Sequence, residues 1–261
     1  MPISTMSNHA LRTLWNSGLV QRMSLPEILE GARQFVDSVR PGNSRLIKTA
    51  VSRQAPRKLH LGSGNRPLSR DWLNTDLRPS PRVAFLDVTK PFPLPSGTFD
   101  YVYTEHMIEH IPFDKAQHML RECLRVLSPG GRLRVATPDF EFLKQLQNPN
   151  LSELQRAYVA WALPEKPVGP DAAGMFVLNN FFRSWGHRFI YDEATLCGSL
   201  RAAGFVEIER QELNQSGDAV LRGLENEARM PDGFLRLETM VLEAVKPSAM
   251  FTGQTLFTRL P

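Results

Sequence analysis

The 261-residue sequence predicts an α/β fold built on a doubly wound, mostly parallel sheet with helices on both faces. Two observations predict it. Five short apolar runs between Lys58 and Asp139 are separated by helical or crossover segments, the alternation that builds parallel sheets. Three of those runs end in glycine or aspartate, the residues expected where strands deliver a binding edge.

The elements follow in order. "SLPEILEGARQFVDSVRPG" reads as a helix capped by Ser24, with Pro26 in its first turn and Pro41-Gly42 at its end. Ile28, Ala32, Phe35 and Val36 fall on one face of it. The polar, basic stretch to Arg57 reads as a linker or a weak second helix. "KLHLGSGN" is a strand entering a glycine turn, "WLNTDL" a second strand ending at Asp76, and "VAFLDV" a third ending near Asp87. "TFDYVYTEH" is a fourth, followed by a few helical residues that Pro112 interrupts. "DKAQHMLRECLRVL" places Met119, Leu120, Cys123, Leu124 and Leu127 on one helical face; "SPGG" ends that helix and "RLRVATPD" is a fifth strand. Residues 141–186 are irregular and aromatic, with Phe142, Tyr158, Trp161, Phe176, Phe181, Phe182 and Trp185. An insertion at this point is expected to be a lid or a packed subdomain. "YDEATLCGSLRAAGF" is a helix between Asp192 and Gly204, and "FVEIERQ" and "TMVLEAVK" are the last strands.

Composition narrows the function classes. Hydrophobic residues at 42% and charged residues at 22% suit a globular chain with a sizeable core. Two cysteines, Cys123 and Cys197, are too few for a disulfide framework and read as buried small side chains. No apolar run approaches the roughly 20 residues of a membrane span, and no secretory leader is visible, so the expectation is a cytoplasmic protein. The net charge is +4, but the first 58 residues carry nine Lys/Arg against three Asp/Glu, which leaves the remainder at −2. A basic arm of this density reads as a solvated appendage, and nucleic acid is not the expected partner.

The chemistry begins at "LHLGSGN". Gly62 and Gly64 follow a strand directly, where small residues let a ligand approach the backbone. Asp76 closes the second strand, where a carboxylate can accept both hydroxyls of a ribose, and Asp87 closes the third, where one can meet an adenine amino group. A dinucleotide fingerprint would need a third glycine at Pro67, and a P-loop would need Gly-Lys-Ser/Thr; both are absent. The pattern suits a nucleoside without phosphates.

"KLHLGSGNRPLSRDWLNTDL", "FDYVYTEHMIEHI" and "RVLSPGGRLRVATPD" resemble successive motifs of the class I S-adenosylmethionine-dependent methyltransferases, closest to those with a type-11-like domain. The resemblance covers about residues 58–140 and, more weakly, 187–210 and 239–246. It implies a Rossmann-like fold and an enzyme that uses S-adenosyl-L-methionine, methylating a hydroxyl of a sugar or another small metabolite. It also implies the cofactor contacts. Leu61, Gly62, Ser63 and Gly64 would line the methionine part. Asp76 with Leu77 would hold the ribose, and Asp87 with Val88 would meet the adenine. Thr104, Glu105 and His106 would sit beside the sulfonium. His106 and His187 are the candidate bases. The implied division is a basic helical appendage over 1–57, a methyltransferase domain over 58–247 with the insertion 141–186, and a tail over 248–261. Two other readings stay open: a non-catalytic cofactor-fold binding module, and a metal-assisted RNA 2′-O-methyltransferase.

"TEHMIEHI" raises one further possibility. His106, Glu109 and His110 spell the H-x-x-E-H of some zinc peptidases, but Pro112 leaves no long helix to carry it. The text is also similar to the E-x-x-E-H with which ubiquinone-pathway O-methyltransferases and small-RNA 2′-O-methyltransferases bind a divalent metal. By that similarity His106, Glu109, His110 and His187 are the candidate ligands, and imidazole-rich sets suit Zn, Fe, Ni or Mn better than Mg.

Overall fold

The computed structural model describes residues 25–38, 41–163 and 173–248. Seven strands form one sheet: β1 (Lys58–Leu61), β2 (Trp72–Asp76), β3 (Val83–Phe85), β4 (Phe99–Glu105), β5 (Leu127–Pro138), β6 (Val206–Gln211) and β7 (Thr239–Val245), in the order β3-β2-β1-β4-β5-β7-β6. All neighbouring pairs are parallel except those made by β7, which runs antiparallel to β5 and β6. The chain order reverses between β1 and β4, and that is where an α/β sheet opens a crevice at its carboxyl edge.

One face of the sheet is apolar. Leu59 and Leu61 of β1, Leu73 of β2, Val102 of β4, Leu133 and Val135 of β5 and Leu242 of β7 are buried together. The same core takes in α2 (Pro41–Val51), α3 (Phe113–Val126) and α7 (Glu193–Ala203) through Ala50, Met119, Leu120, Cys123 and Leu200. Both cysteines are free and buried, and burial pushes the Cys123 thiol far up. Asp192 accepts from the Thr195 amide to start α7, and Gly204 ends it in the left-handed conformation.

In the N-terminal segment the second helix, one of the two readings of the basic stretch, is the one present, and it starts earlier than expected. The first helix, α1, spans Leu25–Ser38, and Pro41 opens α2 rather than merely ending α1. Proline at a first helical position loses no intrahelical hydrogen bond. α2 packs on β2 and β3, and its Asn43 side chain accepts from the Phe85 amide at 2.7 Å. On the expected apolar face of α1, Ala32 is exposed and Val36 is 51% exposed; the side chains of Ile28 and Phe35, the expected cap Ser24, residues 1–24 and the tail beyond residue 248 lie outside the described residues.

The second face is polar and covered differently. The link from β1 to β2 is ten residues without a helix. Asn74 organises it: its Oδ1 accepts from the Leu68 amide at 2.7 Å and meets His60 Nδ1 at 3.0 Å, while its Nδ2 donates to the Leu68 carbonyl. Because Asn74 Oδ1 can only accept, His60 carries its proton on Nδ1. The segment after β6 folds back over the strands a helix would otherwise shield. Leu221 is fully buried against Trp72 and Tyr103, and the Tyr101 hydroxyl donates to Asp218 at 2.8 Å.

A buried cation holds that segment down. Arg134 stands opposite Glu243 across β5 and β7 and has no exposed surface. It donates from Nε and Nη2 to the two Glu225 oxygens at 2.7 and 2.8 Å, and from Nη1 to Glu243 at 2.5 Å and to the Gln215 carbonyl at 2.8 Å. Glu225 Oε2 also accepts from the Asn214 amide, so one carboxylate fixes both ends of the segment.

The described residues between 140 and 186 pack together beside the sheet. The short helices α4 (Phe140–Gln145), α5 (Glu153–Ala162), α6 (Ala173–Arg183) and α8 (Phe234–Glu238) enclose Phe142, Tyr158, Val177, Phe181 and Phe234. Of the seven aromatics expected there, Phe142, Tyr158 and Phe181 are core, whereas Trp161, Phe182 and Trp185 are about half exposed. The Tyr158 hydroxyl bonds the buried Glu238 carboxyl, whose pKa burial raises.

Two outcomes follow from these contacts. Arg134→Met leaves two buried carboxylates unpaired, so urea unfolding should show a loss of about 3–5 kcal/mol, most of it recovered when Glu225 and Glu243 are also made apolar. His60 is buried, and desolvation lowers its pKa to about 4, against the bond to Asn74 and the charge of Asp76. The unfolded chain therefore binds this proton first, near pH 6.5, and stability is complete above that pH and falls towards pH 4. Urea midpoints should drop through that window, by up to about 3 kcal/mol from this residue, and His60→Gln should flatten the profile.

Candidate active site

The site lies at the carboxyl ends of β1, β2 and β4. After β1 the backbone turns through Gly62 (φ +68°) and Gly64 (φ +55°), both in the left-handed region. At Gly62 space is also decisive, because a Cβ there would lie 2.3 Å from Met107 Cγ. The turn is bonded to β2: the Ser63 amide donates to the Thr75 carbonyl at 3.0 Å and the Gly64 amide to Asp76 Oδ2 at 2.9 Å. Asp76 Oδ1 accepts from the Arg78 amide at 2.9 Å, so this carboxylate ties the glycine turn to the turn after β2.

Gly62, Ser63 and Gly64 line a cavity of about 570 Å³ together with Tyr103, Glu105 and His106 from the end of β4. Its far wall is Leu224, Asn226 and Arg229. Glu105 Oε1 accepts from the Asn226 amide at 3.2 Å and lies 3.8 Å from Arg229 Nη1. Two wall residues, Ser63 and Tyr103, hold buried hydroxyls with no hydrogen-bond partner among the described residues. Burial, reinforced by the Glu105 and Glu225 carboxylates, keeps the Tyr103 phenol protonated and able to donate.

Of the residues the sequence nominated, Gly62, Ser63, Gly64, Glu105 and His106 line this cavity, and Asp76 reaches it through the Gly64 amide. Leu61 and Thr104 are fully buried behind it, and Leu77 is 41% exposed. Asp87 and Val88 are elsewhere. Asp87 Oδ1 accepts from the Thr89 amide and hydroxyl at 2.9 and 2.6 Å, Lys90 lies 3.2 Å from Oδ2, and the residue borders a separate cavity against α2. Val88 is packed in the apolar core. The wall from Leu224 to Arg229 carries no motif that sequence reasoning could have found. It reaches the site only because Arg134 anchors Glu225.

His106 occupies the left-handed region at φ +45°, an unusual conformation for a residue with a side chain. Its amide donates to the Ala136 carbonyl at 2.8 Å, its Nε2 meets Thr239 Oγ1 at 2.9 Å, and its Nδ1 lies 3.4 Å from Glu109 Oε1. Ile108–His110 form a single 3-10 turn, so the histidine text sits on a tight corner and not on a helix. Glu109 is fully buried. Burial favours its neutral form, but the imidazoles of His106 and His110 outweigh burial and hold its pKa below the usual carboxylate value. His187 stands on the other side of Glu109 and does not line the cavity; its ring packs edge-on against His110, with centroids 4.9 Å apart. Its pKa is lowered, chiefly by burial.

Part of the chain is similar to known proteins. The family model described as a methyltransferase domain, type 11, matches residues 66–135. An uncharacterised 37.1 kDa protein in transposon TN4556 of Streptomyces fradiae is 32% identical over 130 residues, 46% of this chain and 36% of that protein. Demethylmenaquinone methyltransferase of Clavibacter sepedonicus is 28% identical over 155 residues, 57% of each chain. The chain thus spans little more than half the length of these relatives at most. Among solved structures, a possible histamine N-methyltransferase from Thermotoga maritima is similar at 20% identity and a TM-score of 0.43, over 84% of this chain and 96% of that one. Over residues 66–135 the chain matches the methyltransferase domain of the type-11 family.

Proposed function

We propose that the protein methylates a hydroxyl group of a sugar or another small metabolite, with S-adenosylmethionine bound in the cavity beside the glycine turn. The observation that carries this reading is the convergence of Gly62–Gly64, Glu105 and His106 on one cavity at the sheet's switch point, with Asp76 bonded to the Gly64 amide beside it. The residues suit such a cofactor. Carboxylates at Asp76 and Glu105 can accept from ribose hydroxyls and an ammonium, and the unpartnered hydroxyls of Ser63 and Tyr103 can donate to a carboxylate. Bound there, the cofactor supplies an electrophilic methyl group on a sulfonium.

The protein's own part is positioning and proton removal. An in-line displacement needs the acceptor oxygen within about 3–3.5 Å of the methyl carbon, so most of the rate comes from orientation. His106 is the base in this reading. The buried Glu109 carboxylate faces its Nδ1 and favours a proton there, which leaves the Nε2 lone pair for the acceptor's hydroxyl proton. Thr239 Oγ1 meets that lone pair in this structure.

Calorimetry tests the cofactor step. The full chain should bind S-adenosylmethionine, and Asp76→Ala should weaken it roughly 10- to 100-fold, the worth of a charged hydrogen bond. Absence of binding by the unsubstituted protein would overturn the reading. Transfer of labelled methyl to a panel of hydroxylated metabolites then tests the acceptor class.

A further inference from the structure

We infer that Glu109, His110 and His187 form a binding site for one divalent transition-metal ion, next to the cavity and separate from it. Their ligand atoms all lie within 4.8 Å of one another. Two ligands of a tetrahedral zinc ion sit about 3.4 Å apart, so the three groups need to close by about 1.4 Å or less. His110 Nε2 and Glu109 Oε1 already approach to 3.8 Å.

Three observations indicate a ligand rather than mere packing. Glu109 is fully buried, yet its Oε1 accepts no hydrogen bond among the described residues. The contact from His106 at 3.4 Å does not satisfy it. An ionised carboxylate is costly to bury with an oxygen unpaired, and a cation at that oxygen removes the cost. Second, the supporting contacts fix the ligands as metal sites usually require. Thr137 Oγ1 donates to the other carboxylate oxygen at 3.1 Å. His187 Nδ1 meets the Phe181 carbonyl at 2.8 Å and must donate there, which places its lone pair on Nε2. Third, the backbone holds the group together: the Arg188 and Phe189 amides both donate to the Glu109 carbonyl, at 2.6 and 3.2 Å. His110 is 39% exposed on its side chain, which provides the way in.

The donor set decides the ion. Two imidazoles and one carboxylate suit Zn, Fe(II), Ni or Mn, and a magnesium ion would prefer oxygen. His106 is not among the groups whose ligand atoms converge. Three protein ligands leave a coordination position open. The binding itself does not rest on the methyl-transfer reading.

Metal analysis tests the site. The full chain, stripped with chelator and then titrated with zinc in a calorimeter, should bind one equivalent. His110→Ala removes a half-exposed ligand without opening the core and should weaken binding at least 10-fold; Glu109→Gln should do the same with its shape retained. Absence of a stoichiometric site, or binding unchanged in His110→Ala, overturns the inference. S-adenosylmethionine is titrated separately into the stripped protein, so failure of the metal site and failure of the cofactor reading give different results.

Discussion

The buried guanidinium of Arg134 is the interaction on which the rest of the site depends. Its four hydrogen bonds draw Glu225, Glu243 and the Gln215 carbonyl to one point on the polar face of the sheet. Such a cluster is not a large source of stability by itself, because desolvating three charges offsets most of their attraction. What it supplies is placement. With Glu225 fixed, Leu221 covers Trp72 and Tyr103, and Asn226 and Arg229 reach Glu105. The cavity therefore has a wall that belongs to neither β1 nor β4 and depends on a salt-bridged core beneath it.

This arrangement accounts for the helix-less link between β1 and β2. Parallel neighbours usually need a longer crossover, commonly a helix that shields one face. Here the crossover is held by Asn74, by Lys58 paired with Asp71 and by Arg82 donating to the Leu68 carbonyl, and the shielding comes from far along the chain. A loop in place of a helix leaves more room at the glycine turn, where Met107 already approaches Gly62 closely. The same corner carries His106 in a strained conformation and places Glu109 beneath it. Strain, a buried anion and unpartnered hydroxyls occur together at one edge of the sheet, as expected of a site shaped for chemistry rather than stability.

The histidine text shows how spacing can mislead. Read as a helix, H-x-x-E-H puts three ligands on one face. As a strand end followed by a 3-10 turn, it turns His106 towards Thr239 and leaves Glu109 and His110 facing a histidine from residue 187. The carboxylate therefore stands between His106, the proposed base, on one side and the proposed metal on the other.

The sequence by itself determined the sheet, its order of elements and the edge that carries the glycine turn. Periodicity, the glycine turn and the strand-end aspartate are local signals, written within a few residues of where they act. It also marked the aromatic insertion, though not that Phe142, Tyr158 and Phe181 form a core while Trp161 and Trp185 remain exposed. Only the tertiary structure decided that Asp87 is spent on its own turn, that residues 224–229 close the cavity and that His187 joins Glu109. The last two depend on contacts between residues about 80 to 120 positions apart, made across the sheet, and no local pattern in the chain encodes them, whereas the Asp87 turn is local, made with Thr89 and Lys90.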